Sequence, residues 1–315
     1  MNLTLLIPHT RHAFVQLTSN LPMAEWYFPT ADNDLQYWGL DYPPLTAFHS
    51  YLCGVIGTMI NPEWMALHES RGVETLELKM FMRATVLVAD ILVLVPAILL
   101  WVRFCQRNLW SSAEWTLALL MLLSPGFILI DHGHFQFNGI SLGLALLGAT
   151  MICSGSDLVG SVFFVAALNY KQMELYHALP FFFMLLGKCF KQPTLLAGVS
   201  KLAMIGVTVA AAFVLCWAPF LTSADSVSQG TAACFENFGL AADFNFWNRD
   251  CAGYFPEFSG VSFSIHKVVV ILLISSECSV CGFDRAQIYQ AAYLPCMVGC
   301  SNMCVFVPYK ASSSN

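Results

Sequence analysis

Charge is what this sequence has least of. Only 11% of its 315 residues are Asp, Glu, Lys or Arg, against about a quarter in soluble domains. The 14 Lys and Arg form no run, which excludes a nucleic-acid-binding protein. Internal repeats, low-complexity linkers and a segment of soluble-domain composition are also missing. The opening "MNLTLLIPHTRH" has too short an apolar stretch and no basic flank for a secretory signal, so targeting is expected from a later span or from sequence upstream of Met1. What fills the chain is apolar: 57% of residues are hydrophobic and the mean hydropathy is +0.64. This composition is that of an all-α polytopic membrane protein.

A span needs roughly 20 apolar residues, fewer where helices are broken or buried in protein. Residues 84–101 and 202–221 reach that length; 115–130, 139–153, 158–169 and 175–187 are shorter, and 261–276 and 286–309 are weaker still. The expected total is about 6 to 8 transmembrane helices. Lys and Arg fix the orientation. Arg103, Arg107, Lys188, Lys191 and Lys201 fall in connections on one side, which is therefore cytosolic, and only Lys171 falls in the short connections opposite. That topology puts three polar stretches on the non-cytosolic face: residues 1–83, "DHGHFQFN" at 131–138 and "NYKQMELYH" at 169–177. Seven of the 8 histidines go with them. The expected organisation is a luminal loop with interfacial helices (1–83), a transmembrane helical core (84–222) and a divergent tail (223–315).

The 12 cysteines do not form a disulfide framework. Cys53, Cys105, Cys153, Cys189 and Cys216 sit in apolar runs, where thiols behave as small hydrophobes. Cys278, Cys281, Cys296, Cys300 and Cys304 match a zinc ligand set only loosely, and Cys234 and Cys251 share one non-cytosolic loop where a disulfide is allowed.

Within residues 1–83, Trp26, Tyr27, Tyr37, Trp38 and Tyr42 cluster as at a sugar-binding or interfacial surface, and 45–60 reads as a helix lying in the membrane interface. Pro43 and Pro44 hold Asp41 on a stiff loop. Its carboxylate reads either as a loop cap or as a contact to a sugar hydroxyl. In "DHGHFQFN", Asp131, His132, His134, Gln136 and Asn138 follow an apolar run; headgroup recognition, a satisfied interfacial turn and, with no third ligand at a recognisable spacing, metal binding compete. In "NYKQMELYH", Lys171, Glu174 and His177 recur at every third position, either as an ion-paired cluster or with Lys171 on a phosphate. Asp90 inside the 84–101 span has the same ambiguity. A transporter would carry repeat symmetry and midmembrane polar groups; polar groups gathered on one face favour an enzyme with a lipid-borne substrate.

"RH" at 11–12, "LPMAEWYF" at 21–28, "DNDLQYWGLDYPPLTAFHSYL" at 32–52, "INPEW" and "SRGVE" within 60–74, "LIDHGHFQFN" at 129–138 and "NYKQMELYHALPFF" at 169–182 closely resemble the dolichyl-phosphate-glucose-dependent α-1,3-glucosyltransferases of the endoplasmic reticulum. The resemblance runs from about residue 11 to about 222 and is nearest to the members that add the first glucose. It implies a GT-C fold, a multi-pass protein of the endoplasmic reticulum membrane and a luminal active site. The implied reaction moves glucose from dolichyl phosphate glucose to a mannose-rich dolichyl-diphosphate oligosaccharide, with inversion and with no metal or cofactor. It implies Asp41 as a catalytic carboxylate, and Arg11, His12, Tyr37, Trp38, Asp131, His132, His134, Gln136, Lys171, Gln172, Glu174 and His177 as substrate-binding residues. Two departures stand out: no acidic motif precedes Arg11-His12, and after about residue 222 the family's acidic loop and later histidine motif have no counterpart. A shortened form of the enzyme is therefore expected, either with little or no activity or as a non-catalytic membrane partner of the active enzyme.

Overall fold

In a computed structural model the described residues are 6–34, 39–40, 42–105 and 112–220; Tyr37, Trp38, Asp41 and every expectation placed after residue 220 lie outside them. Among the described residues all regular structure is helical. In order these are α1 (Leu6–Asn20), α2 (Pro44–Ile60), α3 (Leu76–Ala89), α4 (Val95–Cys105), α5 (Ser112–Leu122), α6 (Asn138–Cys153), α7 (Asp157–Tyr170), α8 (Ala178–Phe190) and α9 (Leu195–Trp217).

The chain chemistry accounts for where helices start and break. Pro44 occupies the first turn of α2, where no N–H is needed. Thr75 and Thr194 cap α3 and α9 by accepting from the backbone N–H of Leu78 and Ala197. The 115–130 segment is not one helix. Ser124 is extended ahead of Pro125, as the residue before a proline prefers, and the chain resumes as a short turn, Pro125–Phe127, leading into a π-helical turn, Ile128–His132. A second π-helical turn, Asp90–Leu94, joins α3 to α4.

Among the described residues two helices are long and apolar enough to cross a membrane, Leu76–Phe104 and Leu195–Phe220. Each begins some residues before the apolar run that the sequence displays, because the capping threonine lies upstream of it. Helices α2, α6 and α7 are apolar but shorter. The most extensive pairing is α6 against α7. It depends on missing side chains: a Cβ on Gly148 would stand 3.0 Å from the Gly160 carbonyl oxygen, and one on Gly160 would stand 2.7 Å from that of Gly148. Outward faces are strongly apolar, with Leu195, Leu196 and Leu215 on α9 and Leu52, Met59 and Ile60 on α2 all exposed.

At the far end of α6 from the 131–138 segment, Asp157 is held between Lys188 and Lys201, each at 2.6 Å, and Lys188 also donates to the Ile152 carbonyl. Three helix ends are thus pinned by one carboxylate.

Candidate functional site

The site forms where the 131–138 segment, the 171–177 turn and the start of α2 meet. Residues 172–177 form a 3-10 helix, in which every third residue is eclipsed. Glu174 and His177 consequently share one face, and His177 Nδ1 lies 2.7 Å from Glu174 Oε2, with both residues at most 2% exposed. The other Glu174 oxygen accepts from the Ser141 hydroxyl at 2.9 Å. Lys171, also 2% exposed, donates to Asn138 Oδ1 and, at 3.5 Å, to the Gln136 carbonyl. Its Nζ stands 5.5 Å from the centroid of the Tyr42 ring, a cation over an aromatic face. A charge so deeply placed requires this kind of polar surrounding.

The 131–138 segment is unusual in its backbone. Phe135 and Phe137 adopt φ of 58° and 51°, a region that bulky side chains avoid and that structures tolerate mainly where function or surrounding contacts demand it. Asp131 anchors one end: fully buried, it accepts from the Gly139 N–H at 2.7 Å and from the Asn138 side-chain amide at 2.6 Å. His132 Nε2 lies 3.0 Å from Asp90 Oδ2. Burial pushes His134 below the ordinary imidazole value, favouring its neutral form.

From α2, Thr46 donates to the Tyr170 carbonyl, and His49 bonds the Tyr170 hydroxyl at 2.7 Å while packing edge-on against Phe137. Burial raises the neighbouring Cys53 thiol to about 11, the behaviour of a packing residue rather than a nucleophile. Among the described residues no group of His, Cys, Asp and Glu could hold a metal ion.

Of the residues expected from sequence, Asp131, His132, Gln136, Lys171, Glu174 and His177 converge in one network, with Gln172 and His134 on the same segments. His12 stands apart. Its Nε2 meets the Trp64 carbonyl at 2.7 Å, tying α1 to the 3-10 turn Pro62–Met65, and it lines a mostly apolar cavity with Ser50, Cys53, Met65, Phe81 and Phe137. Arg11 lies on α1 as well. Sequence reasoning missed the hydroxyls of Thr46, Ser141 and Tyr170 and the role of His49; only His49, as a break in an apolar run, left a signal.

Buried ionisable side chains joined in one network at the ends of strongly apolar helices suit an integral membrane protein that handles a polar group at the membrane surface. A sequence model of the ALG6, ALG8 glycosyltransferase family matches residues 10–243, and the chain belongs to that family. It is 53% identical to dolichyl pyrophosphate Man9GlcNAc2 alpha-1,3-glucosyltransferase of Rattus norvegicus over 235 residues, 74% of this chain and 46% of that protein. The corresponding probable enzymes of Drosophila melanogaster and Arabidopsis thaliana are 47% and 42% identical, over 68% and 75% of this chain and 45% of each relative. The chain spans about half the length of the curated relatives it matches.

Proposed function

We propose that the chain carries the substrate site of a glucosyltransferase that moves glucose from dolichyl phosphate glucose to a mannose-rich dolichyl-diphosphate oligosaccharide, forming an α-1,3 linkage with inversion at the luminal face of the endoplasmic reticulum membrane. The observation that carries this reading is the match, at 53% identity, to a relative whose name states that linkage and that acceptor.

The chemistry has two demands. The acceptor hydroxyl must lose its proton to a carboxylate as it attacks the anomeric carbon, and the departing phosphate must find positive charge and hydrogen-bond donors. Lys171 is the residue for the phosphate: it is the cation of the network and is oriented by Asn138 and Gln136. Tyr37, Trp38 and Tyr42 would offer ring faces to sugar, while Arg11 and His12 on α1 remain candidates for a substrate contact outside the Lys171 network. Glu174 orients His177 through the 2.7 Å contact, leaving this buried pair to hold the 171–177 turn in register with α6 through Ser141. Asp41, two residues before Pro43, is our candidate for the proton acceptor.

The same reading takes the protein as a GT-C-type multi-pass protein with the Lys171 end luminal and the Asp157 end cytosolic. The separation of these clusters by α6, 16 residues and so about 24 Å long, supports placing them on opposite faces, and Lys188, Lys191 and Lys201 near the Asp157 end favour that end as the cytosolic one.

The test is expression of the chain in cells lacking the first-glucose step, followed by analysis of lipid-linked oligosaccharides. The proposed reading requires a monoglucosylated species, at a low level given the missing acidic motif before Arg11-His12, and its absence from Lys171→Ala and Asp41→Asn. A well-expressed chain that yields none, but co-purifies with the active enzyme, would instead make it a non-catalytic membrane partner.

A further inference from the structure

Asp90 is the residue for which the reaction has no use. It lies within the apolar Leu76–Phe104 helix, remote in sequence from every motif of the site. Three features meet around it. Its carboxylate stands 3.0 Å from His132 Nε2, with side-chain exposures of 14% for Asp90 and 31% for His132. Both residues belong to π-helical turns, Asp90–Leu94 and Ile128–His132, and such turns widen a helix locally and recur at functional sites. Helix α6 presses against the first turn where side chains are missing: a Cβ on Gly139 would stand 2.2 Å from Asp90 Oδ1, and one on Gly143 would stand 3.2 Å from the Leu94 Cα.

Gly139 has a double part. Its N–H holds Asp131 at 2.7 Å, and its lack of a side chain admits the Asp90 carboxylate. A continuous run of contacts therefore leads from the membrane helix to the buried lysine: Asp90 to His132, the adjacent Asp131 to Gly139 and Asn138, and Asn138 to Lys171. Asp131 and His132 are the ionisable groups whose charge is felt at Asp90.

We infer that Asp90 is a positioning residue, which latches the strained 131–138 segment through His132 and thereby sets where Lys171 is held. The inference rests on the proposed function for what Lys171 binds, but the latch itself does not. An oxygen acceptor at this position is what the latch needs, so the amide of Asp90→Asn keeps it and Asp90→Ala removes it. Gly139→Ala pushes the carboxylate away without altering it and is expected to mimic Asp90→Ala.

Two readouts on the full chain in nanodiscs separate the latch from the reading it rests on. Amide hydrogen exchange over 131–139 should speed up about tenfold in Asp90→Ala and Gly139→Ala, the effect of one lost hydrogen bond. It should stay within about twofold of the parent in Asp90→Asn. In the double variant the two losses should not add, because both break one contact. Affinity for dolichyl phosphate glucose should follow the same order, about tenfold weaker in the two single variants. Unchanged exchange in Asp90→Ala, additive losses, or an Asp90→Asn as impaired as Asp90→Ala would overturn the latch. A parent chain that binds no dolichyl phosphate glucose, with the exchange pattern intact, would overturn the proposed function and leave the latch standing.

Discussion

Lys171 and Asp157 show how differently two buried charges can be employed. Lys171 is oriented by an amide oxygen, a backbone carbonyl and an aromatic ring, which suits it to a polyanion arriving from outside. Lys171→Met is expected to weaken binding of dolichyl phosphate glucose about tenfold or more, the worth of a charge-assisted hydrogen bond, as measured by titration in nanodiscs. Asp157 is satisfied within the chain. Burial works against its charge, but hydrogen bonds and charge from Lys188 and Lys201 prevail and hold its carboxyl below the usual value. A folded value depressed below the unfolded one means that this carboxylate stabilises the fold at pH above the ordinary Asp range and loses that contribution as pH falls through its folded value. Asp157→Asn should therefore lower stability by about 2 kcal/mol at pH 7. It should also flatten the acid limb of the unfolding midpoint plotted against pH, and a parallel downward shift at all pH values would refute the assignment.

Elements in this protein are spaced by glycine. Where α6 and α7 touch, a Cβ on Gly160 would meet Ile152 Cγ1 at 2.4 Å, the Gly148 carbonyl oxygen at 2.7 Å and the Ile152 backbone nitrogen at 2.9 Å. Backbone cannot swing aside as a side chain can, so Gly160→Ala should force the helices apart at a cost of about 1–3 kcal/mol. Gly206 on α9 makes the contrast, because nothing lies within 4 Å of its added Cβ. Gly206→Ala should be neutral or stabilising by up to about 1 kcal/mol through helix propensity. Thermal unfolding of the two variants in one detergent decides the comparison; equal effects would mean that the α6–α7 contact is looser than described. The two apolar runs that become α6 and α7 were legible in the sequence as separate spans. Which glycines their pairing used was not, since apolar sequence does not reveal which face of a helix another will meet.

Across the whole molecule, cationic Lys188 and Lys201 and the network around Lys171 lie at opposite ends of α6, separated by apolar helices whose outward faces carry leucine, isoleucine and valine. Such faces suit contact with acyl chains. In sealed microsomes an impermeant maleimide should label Ser154→Cys, at the exposed turn before Asp157, without detergent, and should label Glu69→Cys, an exposed position of the 67–72 turn, only after detergent. The opposite pattern would invert the proposed topology. Detergent-free carbonate washing should leave the chain in the membrane pellet.

Composition by itself determined the class, because 57% hydrophobic residues with so few charges leave a chain no comparable way to bury its surface in water. Local pattern determined the helix-rich build and the three polar stretches, since apolar runs, capping threonines and prolines act over a few residues. The tertiary structure alone decided the partners. Asp90 meeting His132 across 42 residues, Ser141 meeting Glu174 across 33, and Tyr42 beneath Lys171 depend on where helices cross. So do the strained backbone at Phe135 and Phe137 and the π-helical turns that aim Asp90 and His132 at each other. These follow from packing among distant segments, where one missing Cβ at Gly139 settles whether a carboxylate can approach; no window of sequence short enough to read by pattern contains both sides of such a contact.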